Sequence, residues 1–557
     1  MTTPTLADRL DRIVLYQAYP QSFADADGDG MGDLDGLAAR LDYLQWLGVD
    51  AVWVNPCFVS PMRDAGYDVA DFDHIDPRYG GDAAFDRLIA EADRRGIAIV
   101  LDLVAGHTSD EHPWFRAAVD DPRDHRYVFA DEQADGFEPV PGRRGGFYRP
   151  NFFAFQPALN FGFARTHPGE PWRQPVDAEG PRANRDALVD IIRGWYDRGV
   201  QGFRVDMAAS LVKDDPGHVE TARLWNSIRQ RLDATHPGRI LLSEWGDPKR
   251  AIPAGFHSDF FLQFGGDDDG RPLKSLVNNN SGTVHEAWNQ TEVWADAAGT
   301  GDAGDFVAAW RQAATAIAAD GRGGVVGLPT ANHDFTRVVS GPRDADQARS
   351  VLLLALTWPA LPSIYYGDEI GMRYVPGLAS VEGSSLGPTY ERAGSRTPMQ
   401  WGDLGQGGFG DSEGGSGPAE VFPSRYLPED PDPQRPTVAA QRGDAASLLH
   451  FVRAAIALRR RDDRLSARAE VGVLGTGYPF AYVRGGSLLV ALNPSGAPRT
   501  LAVPASDPAA GDPAVVLAHR ARLAGDTLHL DAFGCAVVDL APTPAAPDAA
   551  SDERNTA

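Results

Sequence analysis

The sequence predicts an α/β fold: a closed (β/α)8 TIM barrel, with a subdomain inserted after its third strand and an antiparallel β domain at its C-terminal end. Three observations indicate this architecture. Short, continuously apolar segments alternate with amphipathic segments of helical spacing, a pattern typical of parallel strands buried under helices on both faces. Eight such apolar segments occur, the number that closes a barrel. The alternation is interrupted once and stops after residue 461.

The eight predicted strands are spread over the first two thirds of the chain. Residues 34–47 have helical spacing between the first two strands, and residues 83–95 form a helix that ends at Gly96 before the third. In such a barrel the active site lies at the carboxyl ends of the strands, so we expect functional side chains there. The predicted strands are 13–19, 51–54, 97–104, 202–205, 240–243, 260–264, 325–328 and 363–366.

Two further segments depart from the alternation. Residues 106–182 are rich in Gly, Pro, Arg and aromatic residues without periodicity, which predicts an inserted subdomain, domain B. Residues 1–105 and 183–461 then form the barrel, domain A. Residues 462–541 contain short strands without helices and predict an all-β domain C. Residues 542–557 are rich in Ala, Pro and Asp, a composition that predicts a disordered tail.

The composition excludes several classes of partner. The chain has 557 residues, with 52 basic and 77 acidic side chains and a net charge of -25, so nucleic acids and anionic membranes would be repelled. The most apolar segment, 351–366, is short and contains Pro359 and Pro362, which argues against a membrane span. The first residues lack a secretory signal, so a soluble, cytoplasmic protein is expected. Cys57 and Cys535 are then expected to be buried, reduced thiols.

Acidic residues are concentrated at the ends of the predicted strands. Arg204 and Asp206 are two residues apart on one strand, so both side chains point to the barrel mouth. An arginine beside a carboxylate favours its ionised form, which suits a nucleophile, although a structural ion pair has the same local pattern. Glu244 ends an apolar strand and suits a general acid. His333 and Asp334 follow the seventh strand. Two carboxyl groups facing a cleft, with a third nearby, favour cleavage of glycosidic bonds.

One other enzyme class lacks its motif. A phosphate-handling enzyme would need a glycine-rich loop of the form GxxxxGK[ST], which does not occur in the sequence.

Four motifs occur along the chain in the order DLVAGH, GFRVDM, LLSEW and ANHD. They resemble the four signature regions of the α-amylase superfamily, glycoside hydrolase family 13. Further matches are YQAYPQSF, AGYDVADF, LPSIYYGDEIGM and SRTPMQW, so the resemblance covers residues 13–401. The last two motifs, together with DADGDGMGDLDG, resemble the branch that contains oligo-1,6-glucosidases, α-glucosidases and trehalose synthases.

The resemblance implies roles for individual residues. Asp206 would be the nucleophile that forms a β-glucosyl-enzyme intermediate, Glu244 the acid that protonates the leaving oxygen, and Asp334 the stabiliser of the transition state. Tyr67 would stack beneath the glucose in subsite −1, while Asp64 would bind the terminal glucose and close the pocket, which makes an enzyme exo-acting. The further substrate contacts that the resemblance implies are Arg204, His107, His333 and one of Arg392 and Arg396.

An acidic loop after the first strand is a candidate metal site. Its spacing matches the first half of an EF-hand loop, but Gly36 stands where an EF-hand has glutamate. The resembling branch carries one Ca²⁺ or Mg²⁺ at this loop, which implies a single structural ion; a solvated acidic turn is the alternative. The predicted ligands are Asp25, Asp27, Asp29, the carbonyl of Met31, and Asp33.

Four positions depart from the family pattern. Gly106 replaces an asparagine that ligates calcium in secreted amylases, so that second calcium site is not expected. Ala158 in QPALN replaces the usual aspartate. Met207, after the nucleophile, matches neither the residue typical of α-1,6 nor that typical of α-1,4 specificity, which leaves the linkage open. Trp245 is expected to contact the sugar in subsite +1, with a packing role as the alternative.

The sequence therefore predicts a retaining, exo-acting α-glucosidase that hydrolyses short α-glucosides of the maltose or isomaltose type. The alternative is a transglucosylase or glucosyl isomerase, similar to trehalose synthase, that acts on maltose or sucrose with the same residues. A non-catalytic sugar-binding homologue is disfavoured because all three carboxylates are present. The expected partner is a small α-glucoside, and the oligomeric state stays open.

Overall fold

The computed structural model describes residues 4–263, 271–277, 292–341, 343–382, 392–402, 426–504 and 511–541. The predicted tail, 542–557, lies outside the described residues. Eight parallel strands form a closed barrel, and an antiparallel sheet follows near the C-terminus, which confirms the predicted fold class.

The strands are β1 (Leu15–Ala18), β2 (Ala51–Val54), β3 (Phe58–Val59), β4 (Asp71–Ile75), β5 (Ala98–Val104), β6 (Phe129–Ala130), β7 (Glu138–Pro139), β8 (Phe147–Tyr148), β9 (Gly202–Asp206), β10 (Ile240–Ser243), β11 (Ser258–Phe260), β12 (Val325–Pro329), β13 (Leu361–Tyr365), β14 (Val471–Gly475), β15 (Phe480–Arg484), β16 (Leu488–Leu492), β17 (Arg499–Ala502), β18 (Ala514–Ala524) and β19 (Thr527–Asp539). The barrel order is β1, β2, β5, β9, β10, β11, β12 and β13, which returns to β1.

The helices are α1 (Pro20–Phe23), α2 (Leu34–Ala39), α3 (Leu41–Leu47), α4 (Gly81–Arg95), α5 (Pro113–Ala118), α6 (Glu179–Asp197), α7 (Val219–Asp233), α8 (Pro248–Ala251), α9 (Arg271–Val277), α10 (Gly304–Asp320), α11 (Ala345–Thr357), α12 (Val438–Arg442) and α13 (Leu448–Arg461). The single helix predicted for 34–47 is wrong in one detail, because Arg40 separates α2 from α3. There Arg40 has φ −101° and ψ 3°, and its guanidinium lies 4.4 Å from the Trp401 ring.

The sixth barrel strand differs from the prediction. The expected strand was 260–264, whereas β11 starts at Ser258 and ends at Phe260. Ser258 and Asp259 are polar and were left out of the apolar segment, yet both pair in register with β10. Residue 264 lies outside the described residues. Pairing with a neighbouring strand therefore placed two polar residues in the barrel wall.

The barrel interior changes from apolar to polar along its axis. Seven of the eight barrel strands contribute buried apolar side chains to one cluster, and Leu6 and Leu10 pack against it. The remaining strand, β9, has Gly202, Arg204 and Asp206 at alternate positions, all buried. Because side chains two residues apart on a strand share a face, the polar residues beyond the apolar layer point into the barrel mouth.

The segment between β5 and α6 packs against the mouth. Its three short strands pair in the order β6, β8, β7, and Val128, Ala130, Phe137 and Phe163 form a small separate core. A bridge between His107 and Ala158 ties this segment to the end of β5. It therefore forms one wall above the carboxyl ends of the strands.

The C-terminal sheet has the order β14, β15, β16, β19 and β17, with β18 also paired to β19. It packs on the barrel through Trp358, whose ring contacts Phe480 and Tyr482. Cys57 and Cys535 are both buried and unpaired, as expected. Among the described helices, none is both long enough and apolar enough to cross a lipid bilayer.

Candidate active site

Three adjacent barrel strands place three carboxyl groups around one arginine. The Arg204 Nη1 lies 2.9 Å from Asp102 Oδ1 and 3.0 Å from Asp206 Oδ1, and its Nη2 lies 2.5 Å from Glu244 Oε1. In register, Asp102 is paired with Arg204 and Val104 with Asp206. The Arg204 side chain is only 3% exposed. One buried guanidinium therefore holds the predicted nucleophile and the predicted acid side by side.

Burial disfavours the ionised form of two of these carboxyl groups, Asp206 and Asp102. Burial and the neighbouring Glu244 raise the pKa of Asp206 well above its ordinary value, and Arg204 counteracts this only in part. Burial also raises the pKa of Asp102 to about 6. The expectation that Arg204 keeps Asp206 ionised is therefore incomplete, because burial and a second carboxyl act against it. Since Asp206 and Glu244 are in hydrogen-bonding contact, we treat them as a pair that retains one proton.

Asp334, after β12, has the opposite environment. Its Oδ1 lies 3.2 Å from Arg392 Nη1 and 3.1 Å from Arg396 Nη2. Burial works against ionisation, but His333 and these two arginines together hold the pKa of Asp334 well below its ordinary value. Asp334 is therefore a permanent negative charge in the mouth of the barrel.

The two arginines near Asp334 occupy different places. Arg392 also binds Asp64, with 3.0 Å between its Nη2 and Asp64 Oδ1, so it bridges two carboxylates. Arg396 has a fully buried side chain and donates from Nε to the carbonyl oxygen of His333. Gln156 donates to the other oxygen of Asp64 at 2.8 Å. Arg392 thus links Asp64 to Asp334, and Arg392 and Asp64 together are called the wall of the site. Arg396 binds Asp334 and the backbone of His333.

Tyr67 and His333 form a stacked pair, with ring centroids 5.5 Å apart and an angle of 5° between the planes. The Tyr67 hydroxyl lies 2.6 Å from His333 Nε2 and donates to Asp102 Oδ2 at 3.1 Å. Gln17 lies 2.9 Å from His333 Nδ1. Burial lowers the pKa of His333 to about 3, so the ring is neutral, and these contacts assign the proton to Nε2.

His107 is fixed by the chain on both sides of its ring. Its Nε2 lies 2.9 Å from the Tyr67 carbonyl oxygen, and the Asn151 amide lies 3.0 Å from its Nδ1. Lys213 donates to Asn151 at 3.3 Å. Burial lowers the pKa of His107 to about 4 and that of Lys213 to about 7. A neutral His107 can therefore donate to or accept from a sugar only at the expense of these contacts.

The turn after β9 holds Met207 in a strained backbone conformation. Met207 has φ 42° and ψ 42°, a left-handed conformation that costs a non-glycine residue about 1–3 kcal/mol. In this conformation its N–H donates to Glu244 Oε2 at 3.0 Å. The backbone strain at Met207 thus helps to hold the acid.

Trp245 lies in the turn that follows Glu244. It is 5% exposed, and its ring packs against His218, at 5.2 Å between centroids, and Phe256. These contacts show a packing role. The predicted contact with a sugar in subsite +1 stays a prediction.

The acidic loop brings three of its five predicted ligands together. Carboxylate oxygens of Asp25, Asp27 and Asp29 all lie within 4.8 Å of one another. Asp33 instead caps α2, accepting from Gly36 N at 2.6 Å and from Ala26 N at 3.0 Å. An oxygen-only donor set of this size fits a hard divalent cation.

Several polar residues in the site escaped the sequence analysis. Gln17 and Asn55 lie at the ends of apolar strands. Gln17 donates to Asn55 at 2.8 Å, and Asn55 donates to the Tyr67 hydroxyl at 3.1 Å. A polar residue within an otherwise apolar strand was the available signal. Gln156 and Asn151 had no comparable signal, because they belong to the aperiodic segment and reach the site only through the fold.

Comparisons with known proteins agree with this geometry. The profile of the family "Alpha amylase, catalytic domain" matches residues 17–259 and 283–467. The chain is 31% identical over 521 residues to the trehalose synthase/amylase TreS of Mycobacterium tuberculosis, covering 85% of this chain and 78% of that protein. It is 31% identical over 507 residues to a probable alpha-glucosidase of Rhizobium meliloti, covering 83% and 84%. The solved alpha-glucosyl transfer enzyme XgtA superposes with a TM-score of 0.72 at 26% identity, covering 97% of this chain and all of that one.

The barrel, the buried carboxyl pair and the family match lead to the same conclusion. Family membership accounts for the order of the four motifs, and the structure places their side chains at one barrel mouth. The chain belongs to the α-amylase family, glycoside hydrolase family 13, and is an enzyme that acts on glycosidic bonds.

Proposed function

We propose that the protein is a retaining, exo-acting α-glucosidase that hydrolyses short α-glucosides. The observation that carries the proposal is the pair of carboxyl groups, Asp206 and Glu244, bound to one guanidinium. A wall of Asp64 and Arg392 stands across the mouth from this pair.

The close approach of the two carboxyl groups supports retention of the anomeric configuration. Retaining enzymes have catalytic carboxyls about 5–5.5 Å apart, whereas inverting enzymes need about 6.5–9.5 Å to hold a water between them. Asp206 and Glu244 share Arg204 and are in hydrogen-bonding contact. This arrangement suits direct attack by a carboxylate better than attack by an intervening water.

The proposed reaction uses the one proton of the pair. Glu244 delivers it to the glycosidic oxygen while Asp206 attacks the anomeric carbon, so the leaving alcohol departs and a β-glucosyl ester forms. Glu244 then removes a proton from water, whose oxygen attacks the same carbon and releases α-glucose and free Asp206. The fixed negative charge of Asp334 stabilises the positive charge that develops on the sugar ring in both steps.

The contacts of Asp64 support an exo-acting enzyme. Arg392 and Gln156 occupy both of its carboxylate oxygens, and Arg392 also binds Asp334. We take this group as the end of the proposed pocket, so that one terminal glucose would lie between it and the Asp206–Glu244 pair. Maltose- and isomaltose-type glucosides fit such a pocket, with Met207 and Trp245 on the acceptor side.

A glucosyl transferase or isomerase is the second candidate. The relatives named trehalose synthase/amylase and alpha-glucosyl transfer enzyme favour it. The same residues would form the same glucosyl ester, and a sugar hydroxyl instead of water would then attack it. The two candidates therefore differ only in the acceptor.

We also propose one structural Ca²⁺ or Mg²⁺ at the acidic loop. Asp25, Asp27 and Asp29 would hold it, because their carboxylates already converge. The ion would supply no chemistry to the reaction; it would neutralise the loop after β1.

A proton NMR time course on maltose, isomaltose, sucrose and trehalose, each alone, tests the function. Early release of α-glucose is expected and identifies the preferred linkage. Release of β-glucose first would contradict the retaining mechanism. Appearance of new glucosides without matching free glucose would favour the transferase, and no reaction with any of the four would overturn both candidates.

A further inference from the structure

A buried carboxyl group lies directly behind the residues that flank Glu244. Asp259 is on β11 and pairs in register with Ser243 of β10. Its Oδ1 accepts the Ser243 hydroxyl at 2.6 Å and the Trp245 backbone N–H at 2.9 Å. One oxygen atom thus binds the residues on both sides of the predicted acid.

Asp259 cannot reach a substrate from this position. Leu242 and Phe260 belong to the apolar cluster inside the barrel, so their neighbours Ser243 and Asp259 point outward, away from the mouth. The Asp259 side chain is completely buried there. Any influence on the reaction must therefore pass through the residues that it binds, Ser243 and Trp245, which flank Glu244.

Glu244 is held from the opposite direction by β9. Its two carboxylate oxygens accept from Arg204 and from the Met207 N–H, and its own N–H donates to the Val205 carbonyl at 2.9 Å. Asp259 completes this support from the β11 side. The backbone that carries the acid is therefore fixed between two strands.

The free-energy cost of burying the Asp259 carboxyl group indicates that this residue has a role beyond packing. Burial raises its pKa to about 8, Asp247 adds to the increase, and the donors Ser243, Trp245 N–H and Asp247 N–H oppose it. An apolar residue would avoid the burial penalty but would leave those donors without an acceptor.

We propose that Asp259 is a positioning residue, which holds the acid so that its proton points at the leaving oxygen. The proposal rests on Glu244 acting as the acid in the proposed function. A misplacement of about 1 Å can cost about 10²-fold in rate. Removal of Asp259 is therefore expected to slow reactions that need the proton far more than reactions that do not.

The test compares two substrates with different leaving groups. Maltose releases a sugar alcohol that needs protonation, whereas α-glucosyl fluoride releases fluoride, which needs little. For Asp259→Ala we expect kcat/KM to fall about 100-fold on maltose and less than about 5-fold on α-glucosyl fluoride. Asp259→Asn retains an oxygen acceptor of the same size and should stay within about 5-fold of the wild type on both substrates.

Asp50→Ala is the matched control. Asp50 is a buried carboxyl that accepts the Val14 backbone N–H at 3.0 Å, but it precedes β2, at the amino end of the barrel. This variant should lower the melting temperature without changing the ratio of the two kcat/KM values. A change in that ratio would show that any buried carboxyl produces the effect and would overturn the assignment to Asp259.

Equal losses on both substrates, or no loss on either, would also overturn it. If Asp259→Ala does not fold, Asp259→Ser, which keeps a polar group but shortens the side chain, is measured against the same expectation. Failure of the proposed function is seen separately, because the wild-type protein would then fail to convert the glucosides before any variant is compared.

Discussion

The two acidic centres of the active site differ in how many arginines bind each carboxyl group. At Asp334, two arginines, Arg392 and Arg396, bind one carboxylate oxygen. At the other centre, Arg204 alone serves Asp102, Asp206 and Glu244. The Asp334 side chain is 17% exposed and the three carboxyls around Arg204 are 11% exposed or less, so exposure and the number of bound arginines both favour the ionised form of Asp334. The comparison shows how the same residue types give a permanent anion in one place and a retained proton in another.

This difference matches the two tasks of the proposed reaction. A carboxylate that stabilises a developing positive charge must be ionised throughout, as Asp334 is. An acid must hold a proton at neutral pH, which a crowded pair of carboxyls does more readily than an isolated one.

The largest expected effect comes from removing one carboxyl of the crowded centre. Asp206→Asn keeps an oxygen that accepts from Arg204 but cannot form the glucosyl ester, so kcat should fall by at least about 10⁴-fold. Steady-state rates on the preferred glucoside check this, with circular dichroism to show that the fold is retained. Asp463→Asn, at an exposed ion pair with Arg12, is the control. Near-wild-type turnover of Asp206→Asn would refute the assignment.

The next effect comes from removing one arginine of the other centre. Arg392→Ala breaks the bridge between Asp64 and Asp334, while Arg396 keeps Asp334 ionised. We expect kcat/KM on maltose to fall about 100-fold through lost positioning, with α-glucose still the first product. Arg373→Ala, which removes a half-exposed arginine bound to Asp430, should change little. An unchanged kcat/KM in Arg392→Ala would mean that the wall does not contact the sugar.

A smaller effect tests whether His333 adds charge beside Asp334. Its pKa is lowered to about 3 in the folded protein by burial, whereas an unfolded histidine has a pKa of about 6.5. The unfolded state therefore gains a proton first, and the stability contributed by His333 is lost as pH falls from 6.5 towards 3, by about 1.4 kcal/mol per pH unit.

The measurement compares the wild type with His333→Gln, which keeps a donor and an acceptor. Any stability advantage of the wild type should shrink between pH 7.5 and 5 in chemical denaturation. An advantage that stays constant would mean that folding does not change the pKa of His333, and one that grows as pH falls would mean that His333 is charged in the folded protein.

The smallest effect concerns a third acidic group. In the described part of the chain, Asp25, Asp27 and Asp29 have no arginine within salt-bridge distance, which is why we propose a metal cation there. A chelator should lower the melting temperature by about 2–5 °C while leaving kcat unchanged. Asp27→Asn should abolish the response to chelator. An identical melting curve in chelator, with no metal found by elemental analysis, would refute the site.

The sequence alone predicted the barrel, its mouth and the carboxyl groups that meet there. Side chains alternate between the two faces of a strand, and the carboxyl ends of the parallel strands meet at one mouth of the barrel. Acidic residues that follow the apolar strands are therefore brought together there. Only the fold could separate Arg392 from Arg396, because four residues of sequence do not show which guanidinium faces Asp64. The contact of Gln156 with Asp64 was likewise invisible, since the two are 92 residues apart.

Local sequence therefore determined which strand-end residues reach the active site, since strand alternation and motif order are properties of neighbours along the chain. Tertiary structure decided their protonation and support. Asp206 keeps a high pKa because burial and Glu244 outweigh Arg204, and Asp259 supports Glu244 because two strands pair in register. Desolvation and charge–charge interactions act through space, so their balance exists only once distant segments have packed together.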